Sequence, residues 1–216
     1  MIDLIEELNA VHRATGDTTI PAGDGHSVVL RRTYDAAIDD VWDAVTTRER
    51  IERWFLPVTG DLELGGTYQL EGNAGGTILV CDPPKHLKIT WVFGENTTDR
   101  DISEVDVRLS SEGHDRTVLE LEHAAVVPDE FWTQYGPGAV GVGWDLTLLG
   151  LAMHLDDGST IEDRDAWYAT TQAREFMTRS AQGWGAAMLA AGATQEEADA
   201  AVRGTTSAYL PDTEEA

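Results

Sequence analysis

Residues 136–155, with the sequence GPGAVGVGWDLTLLGLAMHL, carry an apolar stripe about four helical turns long. The stripe repeats at the spacing of one helix face and consists of Val140, Trp144, Leu148, Leu151 and Leu155. A single helix cannot bury such a stripe by itself, so the helix must lie on another apolar surface. The rest of the chain therefore has to supply that surface.

The surface that fits this helix is predicted between residues 26 and 125. Short segments of alternating apolar and polar residues, separated by turns, are typical of antiparallel strands. The inward positions of the last three segments are Leu87, Ile89, Trp91, Phe93, Val105, Val107, Leu109, Thr117, Leu119, Leu121 and His123. We therefore predict an α+β fold in which a curved antiparallel sheet of about seven strands wraps around the long helix.

The chain divides into three parts on these patterns. Residues 1–25 are predicted to form an N-terminal helix, within residues 2–14, followed by a loop that contains TGDTTIPAGDGH. Residues 26–155 hold the sheet and the long helix. Residues 156–216 are predicted to form a helical C-terminal extension with a loose acidic tail.

Two capping-box patterns define the helices of the extension. Ser159 and Glu162 predict a helix that ends near residue 191, and Thr194 and Glu197 predict a second one that ends near residue 209. The first helix carries several Trp, Phe and Met residues that need a surface to cover. Three placements stay open: packing on its own domain over the outer sheet face, a lid over a cavity, and a dimer interface.

The charge of the chain excludes several classes of partner. Lys and Arg number 15 against 39 Asp and Glu, which gives a formal net charge of −24. A surface of this kind repels nucleic-acid phosphate and anionic lipid, so we expect no nucleic-acid binding and no membrane insertion. The N-terminus lacks the basic segment of a signal peptide, no apolar run approaches about 20 residues, and we expect a cytoplasmic protein.

Several blocks of sequence, in order, resemble one known family. They are RRTYDAAIDDVWDAVTTRERIERWF, DLELGGTYQL, GGTILVCDPPKHLKITW, RTVLELEH and GVGWDLTLLGL, and together they cover about residues 26–155. The family is named for the activator of the heat-shock-protein-90 ATPase and belongs to the START-like superfamily, which includes polyketide cyclase-like proteins. The resemblance implies the helix-grip fold, in which the sheet and the long helix enclose a space.

The resemblance also implies which side chains line that space. Alternation alone does not separate a filled core from a pocket, which would measure roughly 300–1,000 Å³. The helix pair of residues 34–55 would close one end, with its last two aromatic residues near the mouth. The expected lining residues are Trp54, Phe55, Tyr68, Leu79, Trp91, Phe93, His123, Trp144 and Leu148.

Motifs that would carry other chemistry are absent or lie in the wrong context. The six histidines show no metal-ligand spacing, and GPGAVG, residues 136–141, lacks the preceding strand of a dinucleotide site. Its glycines are expected to let the long helix begin close to the sheet. Cys81 is expected to be buried beside Leu79 and inert, and no nucleophile motif occurs. We expect no cofactor, no metal and no catalytic residue.

The sequence leaves three functions open. The first is non-enzymatic binding of a small hydrophobic or aromatic ligand between the sheet and the long helix. The second is a cyclase- or hydrolase-like enzyme that uses the same cavity, with His123 and Tyr68 as acid–base groups. The third is a protein-interaction or chaperone-cofactor module, and a homodimer formed through the extension is the corresponding partner hypothesis.

Overall fold

A computed structural model describes residues 2–94, 98 and 101–211 of the chain. The predicted acidic tail is residues 211–216, PDTEEA, and all of it after residue 211 lies outside the described residues. The elements, in chain order, are α1 (Leu4–Asn9), β1 (His12–Ile20), β2 (Gly23–Tyr34), α2 (Ile38–Thr46), α3 (Arg48–Trp54), β3 (Val58–Gly60), β4 (Thr67–Leu70), β5 (Gly75–Asp82), β6 (His86–Trp91), β7 (Ser103–Ser111), β8 (Thr117–Ala125), α4 (Asp129–Tyr135), α5 (Gly138–Asp156), α6 (Arg164–Tyr168), α7 (Thr171–Ala190) and α8 (Gln195–Tyr209).

The described strands form one curved antiparallel sheet with the order β1-β2-β8-β7-β6-β5-β4-β3. The predicted α+β helix-grip architecture is confirmed, with eight strands instead of about seven. The alternation in β7 and β8 is also confirmed, because their predicted inward side chains are all buried. Cross-strand pairs such as Val107 and Leu121 place these side chains on one face, toward α5.

The additional strand lies where the sequence suggested a helix and a loop. Residues 12–20 form β1, which pairs along its whole length with β2, from His12 opposite Arg31 to Ile20 opposite Gly23. The expectation for this segment is wrong because β1 is an edge strand with little buried side-chain surface. Backbone hydrogen bonds hold it in place, and they leave no apolar pattern in the sequence.

The long helix α5 is covered on both sides. Its sheet-facing side carries Trp144, Leu148 and Leu151, and its opposite side packs against α1 and α7 through Leu149. By length and composition the helix is apolar enough to cross a membrane, whereas no apolar run of about 20 residues was expected. Because α5 is buried on both sides, it is a core helix.

The extension packs on the far side of α5 from the sheet. The carboxylate of Asp145 on α5 accepts hydrogen bonds from Ser180 and Trp184 of α7. It also forms a two-point ion pair with Arg13 of β1, at 2.8 and 3.0 Å. Of the placements left open, packing on its own domain is therefore observed, but on α5 and β1 and not over the outer sheet face.

The helix boundaries of the extension follow capping residues that only partly match the prediction. The Thr194–Glu197 capping box is present at the start of α8, and Gly192, with φ +101°, follows the end of α7. The predicted Ser159–Glu162 box is wrong. Asp163 caps α6 and Thr170 caps α7, so two helices occupy the segment that was predicted as one.

Candidate functional site

An apolar chamber lies between the sheet and α5. It has a volume of about 130 Å³, and its walls come from α2, α3, strands β3–β8 and α5. Nearly all the lining atoms are carbon, with hydroxyl groups only from Thr46, Tyr68 and Thr147. The chamber is smaller than the pocket expected from the sequence because side chains such as Leu119 and Leu151 fill much of the space.

Six of the nine predicted lining residues contribute to the chamber wall. Trp54 and Phe55 lie at the end of α3, and Tyr68 and Trp91 lie on β4 and β6. The remaining two are Trp144 and Leu148, on the sheet-facing side of α5. The indole of Trp54 donates a hydrogen bond to the carbonyl of Ala44, which joins the two helices that close this end.

Leu79 does not line the chamber, and the expectation that it is buried with Cys81 is wrong. Its side chain is 40% exposed, whereas Ile78 and Cys81 both line the chamber. The cause is an irregularity in the pairing of β5 with β6, located between Ile78 and Val80. An inserted residue shifts the alternation by one position, so the residues after it change face.

Phe93 and His123 line a separate, more open cleft next to the chamber. The cleft has a volume of about 650 Å³ and shares Trp91 and Trp144 with the chamber. Phe93 lies beyond the end of β6 and is 67% exposed, so its inward placement was also wrong. His123 is buried at the base of the cleft, at the edge of the indole of Trp144.

A chain of hydrogen bonds fixes the protonation state of His123. The Trp144 indole donates to Nδ1 at 3.0 Å, so Nε2 carries the proton and donates to the Ser103 hydroxyl at 2.9 Å. Ser103 in turn donates to the carbonyl of Trp91. Burial lowers the pKa of His123 to about 4, so the ring is neutral at pH 7.

Tyr68 is also committed to an internal hydrogen bond. Its hydroxyl donates to the carbonyl of Thr90 at 2.8 Å, and burial raises the pKa of the phenol well above its usual range. Tyr68 lines the chamber and His123 lines the cleft, so the two groups do not face one space. This arrangement gives no pair of acid–base groups converging on one point.

A third space, the vestibule, lies between the end of α3, α5 and the extension. It has a volume of about 270 Å³. The residues from the extension that line it are Thr160, Ile161, Arg164, Trp167, Tyr168 and Tyr209. None of them was among the predicted site residues. No sequence pattern could indicate them, because their position depends on how the extension packs on α5.

Among the described residues, no group of three His, Cys, Asp or Glu side chains is placed to hold a metal ion. His154 on α5 accepts a hydrogen bond at Nε2 from Arg50. The glycines of GPGAVG also have a structural role. A Cβ at Gly138 would collide with Thr205, and one at Gly141 would collide with Trp184. These glycines therefore allow the extension, and not the sheet, to pack close to α5.

The comparison with known proteins identifies the class of this domain. A sequence model of the family described as activator of Hsp90 ATPase homolog 1-like protein matches residues 35–156, more than half of the chain. The chain belongs to this family, which has the START-like helix-grip fold. Among curated proteins, the search found no match to the chain.

Solved structures agree with this assignment. The crystal structure of CalU16 from Micromonospora echinospora shares 38% identity, covers 83% of this chain and 99% of its own, and has a TM-score of 0.66. An Hsp90 activator from Plasmodium falciparum shares 20% identity over 59% of this chain and 93% of its own, with a TM-score of 0.51. The Aha1 dimer from Colwellia psychrerythraea shares 17% identity over 62% of this chain and 98% of its own, also with a TM-score of 0.51. The last two show the fold alone.

Proposed function

We propose that this protein binds a small hydrophobic or aromatic ligand in the chamber between the sheet and α5. The observation that carries the proposal is an apolar chamber of about 130 Å³ that the core does not fill. Engineered apolar cavities of roughly 150 Å³ stay dry and accept benzene. A space of this size and lining therefore suits one apolar ring, whose burial would be driven by the hydrophobic effect.

The polar groups near the chamber support binding over catalysis. His123 and Tyr68, which the enzyme hypothesis requires, each donate to a fixed internal acceptor and face different spaces. A general base needs a free lone pair within reach of the substrate, and Nδ1 of His123 already accepts from Trp144. The ligand would thus be held and released without reaction.

A protein-interaction role is the second candidate, on the strength of two exposed apolar side chains. Phe93 and Val140 are 67% and 38% exposed and line the same cleft. Solvent-exposed apolar residues that lie together are typical of contact surfaces. The homodimer hypothesis belongs here, while the large apolar residues of α7, such as Phe176 and Trp184, are used inside the protein.

Toluene titration by calorimetry tests the ligand proposal. We expect saturable binding to the wild type, and loss of binding when Ile89→Trp places bulk in the chamber. Leu79→Trp is the matched control, because it adds a large side chain to the neighbouring strand on the exposed face. Absence of binding to the wild type, or equal binding by Ile89→Trp, would contradict the proposal.

Native mass spectrometry of the purified protein separates the two candidates. A retained small molecule would support ligand binding, and its mass would give the compound class. A dimer without a small molecule, broken by Phe93→Ser and Val140→Ser, would favour the interaction role.

A further inference from the structure

The chamber adjoins the two spaces outside it, because it shares wall residues with both. Phe55 and Thr147 line the chamber, the cleft and the vestibule alike. These two half-buried side chains, from the end of α3 and the middle of α5, therefore stand where the three spaces meet. A ligand that fills the chamber and is longer than one ring would extend past these two side chains into a neighbouring space.

The extension forms one wall of the vestibule. Arg164, Trp167, Tyr168 and Tyr209 all line it, and all four lie beyond residue 156, where the family match ends. Without them, the space outside Phe55 would be an open surface of α5. The extension thus adds to the ligand site a part that the family domain does not supply.

Hydrogen bonds hold the extension at this position. The Arg164 guanidinium donates to the carbonyls of Trp54 and Phe55, at the end of α3. The hydroxyl of Tyr209 donates to the carbonyl of Ala139 at 2.9 Å. The first contact joins α6 to the chamber mouth and the second joins α8 to α5, so the vestibule walls are fixed from two sides.

The chamber and the vestibule differ in chemistry. The chamber is almost purely apolar, whereas the vestibule presents the amide of Asn73, the guanidinium of Arg164 and the hydroxyls of Thr160 and Tyr209. These groups can bond a polar substituent, since the Tyr209 oxygen retains acceptor capacity after donating to Ala139. Tyr168 adds an aromatic ring that is 38% exposed, so part of its surface is available to pack against a ligand.

We propose that the C-terminal extension forms the outer half of the ligand site and selects an amphiphilic ligand. The ligand would place one apolar ring in the chamber and a longer arm with hydrogen-bonding groups in the vestibule, against Tyr168 and Tyr209. The inference rests on the proposed function, because the chamber has to receive the inner ring. Tyr168 acts as a specificity-determining residue of the arm and has no contact with the chamber.

Two compounds with the same ring test this inference by calorimetry. Toluene reaches only the chamber, and 4-benzyloxybenzyl alcohol carries the same benzyl group on a longer arm that ends in a hydroxyl. We expect the longer compound to bind the wild type more tightly. Tyr168→Ala should weaken it by about five- to tenfold and leave toluene unchanged, because the variant removes a stacking surface of the arm alone.

Two further variants complete the experiment. Phe131→Ala removes a ring of similar exposure, 44% against 38% for Tyr168, from α4, outside the three spaces, and should change neither affinity. Tyr209→Phe deletes only a hydroxyl and should also weaken the longer compound selectively.

The results separate this inference from the proposed function. If toluene binds and the longer compound is no tighter, or if Tyr168→Ala weakens both equally, the role of the extension is overturned and the chamber proposal stands. If the wild type binds neither compound, both are overturned.

Discussion

The two sides of helix α5 are packed in different ways. Toward the sheet, Trp144, Leu148 and Leu151 border an apolar chamber that is not filled. Toward the extension, Gly141 lies so close to Trp184 that an added Cβ would come within 2.1 Å of the indole ring. One side of the same helix is therefore loosely packed and the other is packed to contact distance.

The two sides of α5 also differ in their polar groups, which are charged toward the extension and neutral toward the sheet. The side toward the extension has a buried ion pair between Arg13 and Asp145, with further bonds from Ser180 and Trp184. The side toward the sheet has the neutral ring of His123, bonded by Trp144. We infer that the charged network and the tight packing hold α5 in place from the side of the extension. The packing against the sheet is then not needed to position the helix.

The largest expected effect breaks the network behind α5. Asp145→Ala removes the carboxylate and leaves the Arg13 guanidinium, whose side chain is 10% exposed, without its counter-charge. We expect a loss of about 3–5 kcal/mol in the free energy of unfolding, measured in urea. Glu175→Ala on α7 breaks only an exposed pair with Arg179 and should cost less than about 1 kcal/mol. Equal losses for the two variants would contradict the proposed anchor.

Acid is expected to weaken the side of α5 that faces the sheet. Burial lowers the pKa of His123 from 6.5 to about 4, so the folded state binds this proton less readily than the unfolded chain. The resulting stability is present above about pH 6.5 and is lost as the pH falls toward 4, by about 3 kcal/mol.

The pH dependence is measured by urea unfolding between pH 7 and pH 4. His123→Asn should show a shallower loss than the wild type over this range. His114→Asn, in an exposed hairpin loop, should follow the wild type. The pKa of His154 is also lowered, chiefly by burial, so only the difference between variants reports on His123. Identical slopes for both variants would show that His123 is not responsible.

A smaller effect tests the tight packing directly. Gly141→Ala forces the methyl group against the buried indole of Trp184, and we expect a cost of about 1–3 kcal/mol in the free energy of unfolding. Gly183→Ala, on α7, meets nothing closer than 3.4 Å and that atom belongs to the Arg13 side chain. This control should be neutral or stabilising by up to about 1 kcal/mol, because alanine favours the helix.

The smallest effect is expected on the loosely packed side of α5, which faces the sheet. Ile89→Trp adds bulk to the chamber wall, where empty space can receive it, and should change the free energy of unfolding by less than about 1 kcal/mol. The same urea experiment measures it alongside Gly141→Ala. A loss as large as that of Gly141→Ala would mean that the two sides of α5 are packed alike.

The sequence predicted the sheet well where one face is buried. In β8, Thr117, Leu119, Leu121 and His123 alternate with Val118, Glu120 and Glu122, and all four are buried as expected. Such a pattern is decisive because a shift by one residue would expose the whole set. It failed at Leu79 because a bulge shifts the alternation within β5, and the sequence contains no sign of it.

The candidate site was predicted only in part, for related reasons. Trp91 and Trp144 were placed correctly on the chamber wall, because strand and helix periodicity orient them. Tyr168 and Tyr209 were missed, because they reach the vestibule through the long-range packing of α7 and α8 on α5 and α4. No local pattern records a contact of that kind.

By itself, the sequence determined the α+β class, the inward faces of β7 and β8, and the family. These properties follow from local periodicity and from the apolar stripe of α5, which has to be buried. Only the tertiary structure decided that β1 completes the sheet, that the extension closes the back of α5, and that a chamber of about 130 Å³ remains in front. Empty volume is a small difference between the space that the backbone encloses and the side chains that fill it, so it is fixed only when every element is in place.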